Sequence, residues 1–452
     1  VVGSGPAGFY AAEALLTGEA HPLVDVYDAL PTPFGLVRYG VAPDHPKIKN
    51  IISRYEKTAT HPGFAFFGNV TVGRDISIEE MRTFYDAIIL ASGAQTDRRL
   101  GIPGEDFAGS HTATEFVAWY NGHPWYQDRE FDLSHECAVV IGHGNVAVDV
   151  ARILCKTVDE LKYTDITART LEVLDESAVR EVRMVGRRGP VQAAFTPPEM
   201  KELGEMEDCD LCIDPGELEL NDASRAELEE LKWREAQKNY ELLREAAGRM
   251  PEGKGRRLVI QFYRGPKEIV GGASGDGEAA DETALDGVIL ERNQLSGEPG
   301  RQKASGTGIT ERVGCGALFR SVGYRGVALP GVPFDEKSGI IPNLHGRVTD
   351  GDTSVRGLYT AGWIKRGPSG IIGTNKPDAF ETVKSLQADL LHLPRCAEPT
   401  RDALFVFFKQ RGSRVVTYDD WRKIDAAEIA RGKPVGKPRE KFTSIAEMLN
   451  VL

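Results

Sequence analysis

Gly3-Ser4-Gly5-Pro6-Ala7-Gly8 has the G-x-G-x-x-G spacing of a phosphate-binding turn. Its first glycine allows the tight turn, the second admits a pyrophosphate close to the backbone, and the third lets a helix pack on a strand. The phosphates then face the unpaired N–H groups and positive dipole end of that helix. Asp28 follows Gly8 by 20 residues, where a carboxylate at the end of the next strand accepts bonds from an adenosine ribose. A second turn, Gly142-His143-Gly144-Asn145-Val146-Ala147, carries alanine in place of the third glycine. The strand expected after it ends in Gly186-Arg187-Arg188-Gly189 rather than in an acid. Two guanidinium groups at that position would fork onto a ribose 2′-phosphate and select NADP over NAD.

These groups need elements to position them. Residues 1–28 read as strand, glycine turn, helix (6–16) and second strand (23–27), a βαβ-type opening. The same plan restarts at Cys137, with an apolar run at 138–141, a helix to about Lys156 and a strand at 182–185. Arg187 lies 45 residues past Gly142, against an ordinary interval of about 20, so an additional helix around 158–161 or 171–177 is expected. Two glycine-marked units on one plan predict an α/β fold of two Rossmann-like dinucleotide-binding domains. Residues 85–94 and 357–363 are each a strand ending in small residues, as where backbone passes close to a ligand or another strand. If the later one closes the first domain, the second domain is inserted into the first. Residues 217–249 read as one or two exposed helices. Residues 271–286 and 297–308 read as loops around a strand at 287–291.

A formal charge of −12 argues against non-specific nucleic-acid binding, which needs a basic footprint to displace counterions. No run of 18 or more apolar residues is present, so a membrane span is not expected and the chain reads as soluble. Six irregularly spaced cysteines fit a reducing compartment. The chain opens at Val1-Val2-Gly3 without an initiator methionine and with only two residues of its first strand, so further residues, and any targeting peptide, are expected upstream.

Four motifs occur in order: Pro33-Phe34-Gly35-Leu36-Val37-Arg38-Tyr39-Gly40-Val41-Ala42-Pro43-Asp44-His45-Pro46; Gly142 to Asp149; Gly186 to Pro190 with Ala194-Phe195-Thr196; and Ala361-Gly362-Trp363-Ile364-Lys365-Arg366-Gly367-Pro368. Through them the chain resembles, over nearly its whole length, the adrenodoxin reductase family and its bacterial-type ferredoxin–NADP reductase members. The resemblance implies FAD and NADP(H) as cofactors, with an FAD-binding domain at 1–95 and 322–452 and an NADP-binding domain at 96–321. It places FAD on the Gly3, Gly5, Pro6, Ala7 and Gly8 turn, with further contacts at Asp28, Leu36, Val72, Trp363, Gly370, Ile371 and Ile372. It places NADP at His143, Gly144, Asn145, Val146, Arg187, Arg188, Glu199 and Gly370. Asp28 stands where many relatives carry glutamate, and His143 where they often carry glutamine.

The activity implied is hydride transfer between NADPH and FAD, with single electrons passing to a ferredoxin-like iron–sulfur protein. Such transfer needs no obligatory protein acid, because the cofactors carry the chemistry. His45, in the loop after Pro43-Asp44, is the most tempting acid–base candidate, and His45 and Glu199 are the catalytic candidates for orienting the nicotinamide, while Asp149 is expected to serve packing or capping. Backbone N–H groups of the 367–370 turn and a helix at about 378–391 would stabilise a reduced flavin, and Trp363 would offer it an aromatic face or an indole N–H. Basic segments at 47–57, 365–366 and 433–441 are candidate docking patches for an acidic partner. The expected location is the cytoplasm, with the mitochondrial matrix as the alternative.

A flavin monooxygenase, a flavin subunit of an amidotransferase-type oxidoreductase and a non-enzymatic dinucleotide sensor share the two-nucleotide plan. Oxygen consumption coupled to an organic substrate, an obligatory iron–sulfur partner subunit, or failure of NADPH to bleach a flavin would separate them in turn. Cys209-Asp210-Leu211-Cys212 invites a redox-disulfide reading, but Glu205, Glu207, Asp208 and Asp210 surround it and disfavour thiolate. Nor does any four-cysteine spacing provide an iron–sulfur cluster. The double variant Cys209→Ser/Cys212→Ser is therefore expected to retain NADPH oxidation with a small dye acceptor; loss of turnover with flavin still bound would restore a disulfide mechanism.

Overall fold

The computed structural model of the protein describes residues 1–230, 234–272 and 284–452. The chain divides into two compact units. One comprises Val1–Thr96, Asn121–Gln127 and Gly323–Leu452, and the other Asp97–Tyr120 and Asp128–Val322. The second is inserted into the chain of the first, and the breaks fall at 96/97 and 322/323 rather than at 95/96 and 321/322. Residues 121–127, expected with the inserted domain, belong to the first unit. Lys441 Nζ donates to the Asn121 carbonyl at 3.1 Å and the His123 ring lies 4.8 Å from that of Tyr39, tertiary contacts with no local signature.

In the first unit Val24–Tyr27 pairs in parallel with Phe64–Phe67. Val2 bridges both Tyr27 and Leu90, which carries the sheet on to Ile88–Leu90. That strand pairs in parallel with Thr353–Thr360 through Leu358↔Ile88 and Thr360↔Leu90, so the two segments ending in small residues lie side by side. Arg347–Asp350 and Asn343–Leu344 extend the sheet antiparallel. The Pro6–Leu16 helix begins at proline, where the missing N–H would have no partner in any case, and buries Ala7, Ala11, Ala12 and Ala14. Those short side chains let it pack against the Asn375–Asp389 helix. The latter was expected at 378–391; it starts earlier because Pro377 sits in the first turn, where proline is tolerated.

The second unit has six parallel strands in the order Ser110–Thr112, Ala317–Arg320, Cys137–Ile141, Glu181–Val185, Arg256–Gln261, Cys209–Ile213. One additional helix was expected between Gly142 and Arg187, at 158–161 or 171–177; helices are present at both places, as Val158–Leu161 and, starting and ending earlier than expected, Ala168–Asp175. Each has a threonine cap: Thr157 accepts from Glu160 N and Thr167 from Thr170 N. Residues 217–249 contain the Asp222–Glu229 and Arg234–Ala247 helices, with 231–233 outside the described residues.

A separate antiparallel sheet joins Arg264–Gly271, Leu285–Ser296 and Lys303–Gly314. The strand expected at 287–291 is thus much longer, and 303–308, expected as loop, is strand. Nearly every side chain of Lys303–Gly314 is exposed, so it carries no apolar alternation; pairing with its neighbour forms it instead. Of the loop expected at 271–286, residues 273–283 lie outside the described residues. Among the described residues no helix is long and apolar enough to cross a membrane.

Candidate functional site

The three glycines of the first turn have different surroundings. A Cβ on Gly3, whose φ is +109°, would lie 2.3 Å from the Ala91 oxygen, and one on Gly8 would lie 1.9 Å from the Gly3 oxygen. A Cβ on Gly5 would meet nothing within 4 Å. The first and third glycines are demanded by packing, whereas the second leaves open space at the head of the Pro6–Leu16 helix, a cradle that fits a pyrophosphate. Asp28 is fixed beside it. Its Oδ2 accepts from Ser4 N at 3.1 Å and from Ser4 Oγ, and its Oδ1 accepts from Leu30 N at 3.0 Å. Burial pushes this carboxyl up, while those three bonds favour the ionised form. With about four acceptor positions on a carboxylate, one remains for a ribose hydroxyl. Ser4, which sequence reading passed over, is the residue that aims Asp28.

Two other segments converge on this turn. A Cβ on Gly35 (φ +49°) would lie 2.9 Å from Gly5 Cα, and Leu36 follows it, exposed, at the start of the Leu36–Tyr39 helix. A Cβ on Gly362 (φ +80°) would lie 2.5 Å from Ala7 Cβ, which brings the Trp363–Arg366 helix against the Pro6–Leu16 helix. Asp378, missed in the sequence, accepts from Gly362 N at 2.5 Å and so ties this corner to the first turn of the Asn375–Asp389 helix. An acid in that turn, just past Gly370, was the available signal. Trp363 Nε1 donates to Ser369 O at 3.2 Å, so of the two roles expected for this residue only the ring face remains. Gly370 (φ +78°) and the exposed Ile371 precede Ile372 at the head of the long helix, giving backbone room to meet a flat ring.

Val72 is buried among Tyr27, Phe67 and Val70, so only its backbone is available to a nucleotide. His45, also in the first unit, is buried at the head of the Pro46–Lys49 helix, its N–H donating to Ala42 O at 3.1 Å. Of the basic patches, Lys365 is buried against Asp378 (3.1 Å) and Glu381 (2.7 Å), and Lys437 and Lys441 are buried as well. These three cannot dock a partner; Lys47, Lys57 and Lys433 are exposed.

The second turn repeats the glycine logic. A Cβ on Gly142 (φ +137°) would lie 2.2 Å from the Ser321 oxygen, one on Gly144 would meet nothing within 4 Å, and Ala147 is fully buried in the third position. Asn145 and Val146 open the Asn145–Cys155 helix. Asn145 Oδ1 accepts from Thr196 N at 2.9 Å, and the His143 carbonyl accepts from Ala194 N and Phe195 N at 2.8 and 2.9 Å. The turn is thereby stitched to the Ala194-Phe195-Thr196 motif. The His143 ring packs 4.7 Å from Phe262, and its Nε2 donates to Met184 O at 3.3 Å. Burial pushes this imidazole down to about 4, so it is neutral at pH 7. A Cβ on Gly186 would lie 2.2 Å from its Nδ1, which is why glycine precedes the arginine pair.

Arg187 and Arg188 are exposed at the end of Glu181–Val185. Their carbonyls accept from Asn293 Nδ2 and Tyr263 N, both at 3.1 Å, while among the described residues neither guanidinium forms an ion pair. Although Arg188 is exposed, partial loss of solvation by its neighbours and the like charge of Arg187 push it down from its ordinary value, the environment an added phosphate dianion would relieve. Glu199 is buried in the Pro197–Leu203 helix, where Arg152 Nη1 donates to it at 3.3 Å. Arg152 is itself buried and pairs with Asp149 at 2.7 Å, so Asp149 is an ion-pair partner rather than a cap. An arginine inside the apolar run of the Asn145–Cys155 helix was its only sequence signal. Cys209 and Cys212 are free thiols, and burial and Asp210 push Cys212 up.

The Pyridine nucleotide-disulphide oxidoreductase family model matches residues 1–189. The chain is 44% identical over 461 residues to NADPH-ferredoxin reductase FprA of Mycobacterium leprae (strain TN), covering 100% of this chain and 97% of that one. It is 44% identical over 466 residues to mitochondrial NADPH:adrenodoxin oxidoreductase of Homo sapiens, covering 100% and 91%. Mycobacterium tuberculosis FprA, solved in complex with NADPH, matches with a TM-score of 0.91 at 45% identity, covering 100% and 98% of the two chains.

The differing surroundings of Gly5 and Gly8 predict different failures. Gly8→Ala should cost about 3 kcal/mol or more, since its methyl group overlaps a backbone oxygen, and should lower Tm in the presence or absence of nucleotide. Gly5→Ala should leave the Tm of the flavin-free protein nearly unchanged and abolish flavin retention; intact retention would remove the pyrophosphate from this turn. For the second turn, Arg187→Ala/Arg188→Ala should lower NADPH preference over NADH by on the order of a hundredfold, with each charge-assisted bond contributing roughly 1.5–3 kcal/mol. The change should appear chiefly in KM, because the 2′-phosphate is remote from the transferring hydride. Steady-state kcat/KM for both coenzymes measures it, and an unchanged ratio would exclude the pair from phosphate binding.

Proposed function

This chain belongs to the adrenodoxin reductase family, and on that premise we propose that it is an FAD-dependent ferredoxin–NADP reductase, moving a hydride between NADPH and FAD and single electrons between FAD and a ferredoxin-like iron–sulfur protein. The observation that carries this reading is the pair of phosphate turns with opposite strand-end chemistry. One turn is followed by a fixed carboxylate suited to a ribose diol, the other by two uncommitted guanidinium groups suited to a 2′-phosphate. FAD accordingly sits in the first unit and NADP(H) in the second.

When bound, FAD supplies the exchange between a two-electron donor and a one-electron acceptor. The protein's own groups bind, orient and polarise. The Pro6–Leu16 helix presents its N-terminus to the flavin's pyrophosphate, and Asp28 holds the adenosine ribose. Backbone N–H groups of Gly370, Ile371 and Ile372, ahead of the Asn375–Asp389 helix, would favour negative charge on a bound ring, and Trp363 would offer its aromatic face. On the NADP side the neutral His143 stiffens the turn without adding charge near the phosphates. Glu199, fixed by Arg152, is the second unit's candidate for orienting the nicotinamide. The exposed Lys47, Lys57 and Lys433 suit electrostatic docking of an acidic iron–sulfur protein. The free thiols fit a reducing location such as the cytoplasm.

Anaerobic titration tests the whole reading. The purified protein should be yellow and should release one FAD per chain on denaturation. NADPH should bleach it stoichiometrically, and added ferredoxin should be reduced and restore the colour. Recovery of FMN or of no flavin would overturn the first site. Bleaching without electron transfer to any ferredoxin, combined with oxygen uptake coupled to an organic substrate, would turn the assignment to a monooxygenase.

A further inference from the structure

Phe34 and Gly35 both have positive φ, +85° and +49°. For a buried aromatic residue that conformation is strained, and it persists only where the surroundings over-determine it. On one side the strained turn rests on the phosphate cradle: Phe34 N donates to Ser4 O at 3.0 Å, and a Cβ on Gly35 would lie 2.9 Å from Gly5 Cα. On the other side it is held by residues nearly four hundred positions later in the chain. Trp421, in the Tyr418–Gly432 helix, meets the Phe34 ring edge to face at 5.9 Å. Glu428 of the same helix, 0% exposed, pairs with the buried Arg38 at 2.5 Å and also accepts from Phe442 N at 3.0 Å. The Arg38 guanidinium lies over the Tyr39 and Trp421 rings, 5.0 and 5.1 Å from their centroids. Lys441 Nζ donates to Arg38 O at 3.3 Å. Arg38 Nη2 donates to Glu428 Oε1, while Nε has no hydrogen-bond partner among the described residues, so the charge-assisted bond to Glu428 is a directional hold on this guanidinium, alongside Tyr39.

We propose that Glu428 is a positioning residue for the flavin: through Arg38 it clamps the strained 34–39 turn against Gly5, which links docking of the C-terminal helix to retention of FAD. The inference rests on FAD occupying the first turn. A buried pair that loses one member leaves an uncompensated charge, and here the turn that relaxes in response is a wall of the cradle. Linkage is reciprocal, so whatever loosens the clamp loosens the flavin.

The test is flavin release from the holoenzyme, followed by the rise in free-flavin fluorescence on dilution, each protein being held at the same interval below its own Tm. Glu428→Gln keeps size and hydrogen bonding but removes the charge; it should release FAD at least about tenfold faster, the equivalent of roughly 1.4 kcal/mol, with a shifted visible spectrum before release. Arg347→Gln breaks a partly exposed pair with Asp389 (2.7 Å) elsewhere in the unit and should release FAD at close to the wild-type rate. Arg38→Lys should behave as Glu428→Gln and decides the matter if the latter does not fold. Release from the clamp variants no faster than from Arg347→Gln, with FAD present in all, would overturn the clamp. Absence of FAD from the wild type would instead overturn the reading of the first turn.

Discussion

A pyrophosphate can meet the free N–H groups at a helix end only where no side chain stands in between, and each unit of this protein is arranged around that close approach. Packing demands Gly3 and Gly8 in one turn and Gly142 in the other, while Gly5 and Gly144 open onto space. The remaining features follow from the same contact. Gly362 is glycine because Ala7 lies against it, and Gly35 because Gly5 does. Ser4 is fixed by the turn and in turn aims Asp28. The helix dipole adds an attraction for anions that a folded backbone supplies without burying a charged side chain.

Around these turns the protein does bury charges, and it buries them in pairs. Lys365 with Asp378, Arg152 with Asp149 and Glu199, and Arg38 with Glu428 each lie next to a segment that meets a nucleotide in the proposed function. Such pairs contribute little net stability, because removing two ions from water costs about as much as their attraction returns. What they supply is direction. Asp378 sets the Gly362 corner, Arg152 sets the carboxylate of Glu199, and Glu428 sets Arg38. Uncharged packing of the same volume would not specify one orientation of the backbone.

The two units separate their ligands with few residues. In the first, a carboxylate with one acceptor position left suits a diol and repels a phosphate. In the second, Arg187 and Arg188 have their carbonyls pinned and their guanidinium groups uncommitted. His143, between the glycines of that turn, is kept neutral by burial and so does not compete with them.

Several elements were legible in the sequence because their signals are local. The Pro6–Leu16 helix, the Cys137–Ile141 strand, both phosphate turns and the arginine pair follow from glycine spacing, strand composition and the chemistry of the groups themselves. The arginine pair itself pointed to NADP(H) at the second turn, while the family resemblance carried the choice of FAD at the first, which spacing alone would have left as a dinucleotide. Tertiary structure decided what has no local period. The Lys303–Gly314 strand is exposed and polar, so only its pairing makes it a strand. Residues 121–127 join the first unit through Lys441 and Tyr39, and Lys365 and Lys441, which read as solvated cations, are buried by partners far away in the chain. The spacing of glycines dictates where an anion can approach, because steric exclusion acts between neighbours. Which charges end up buried, and which carboxylate holds which arginine, depends on residues hundreds of positions apart, and only folding brings those together.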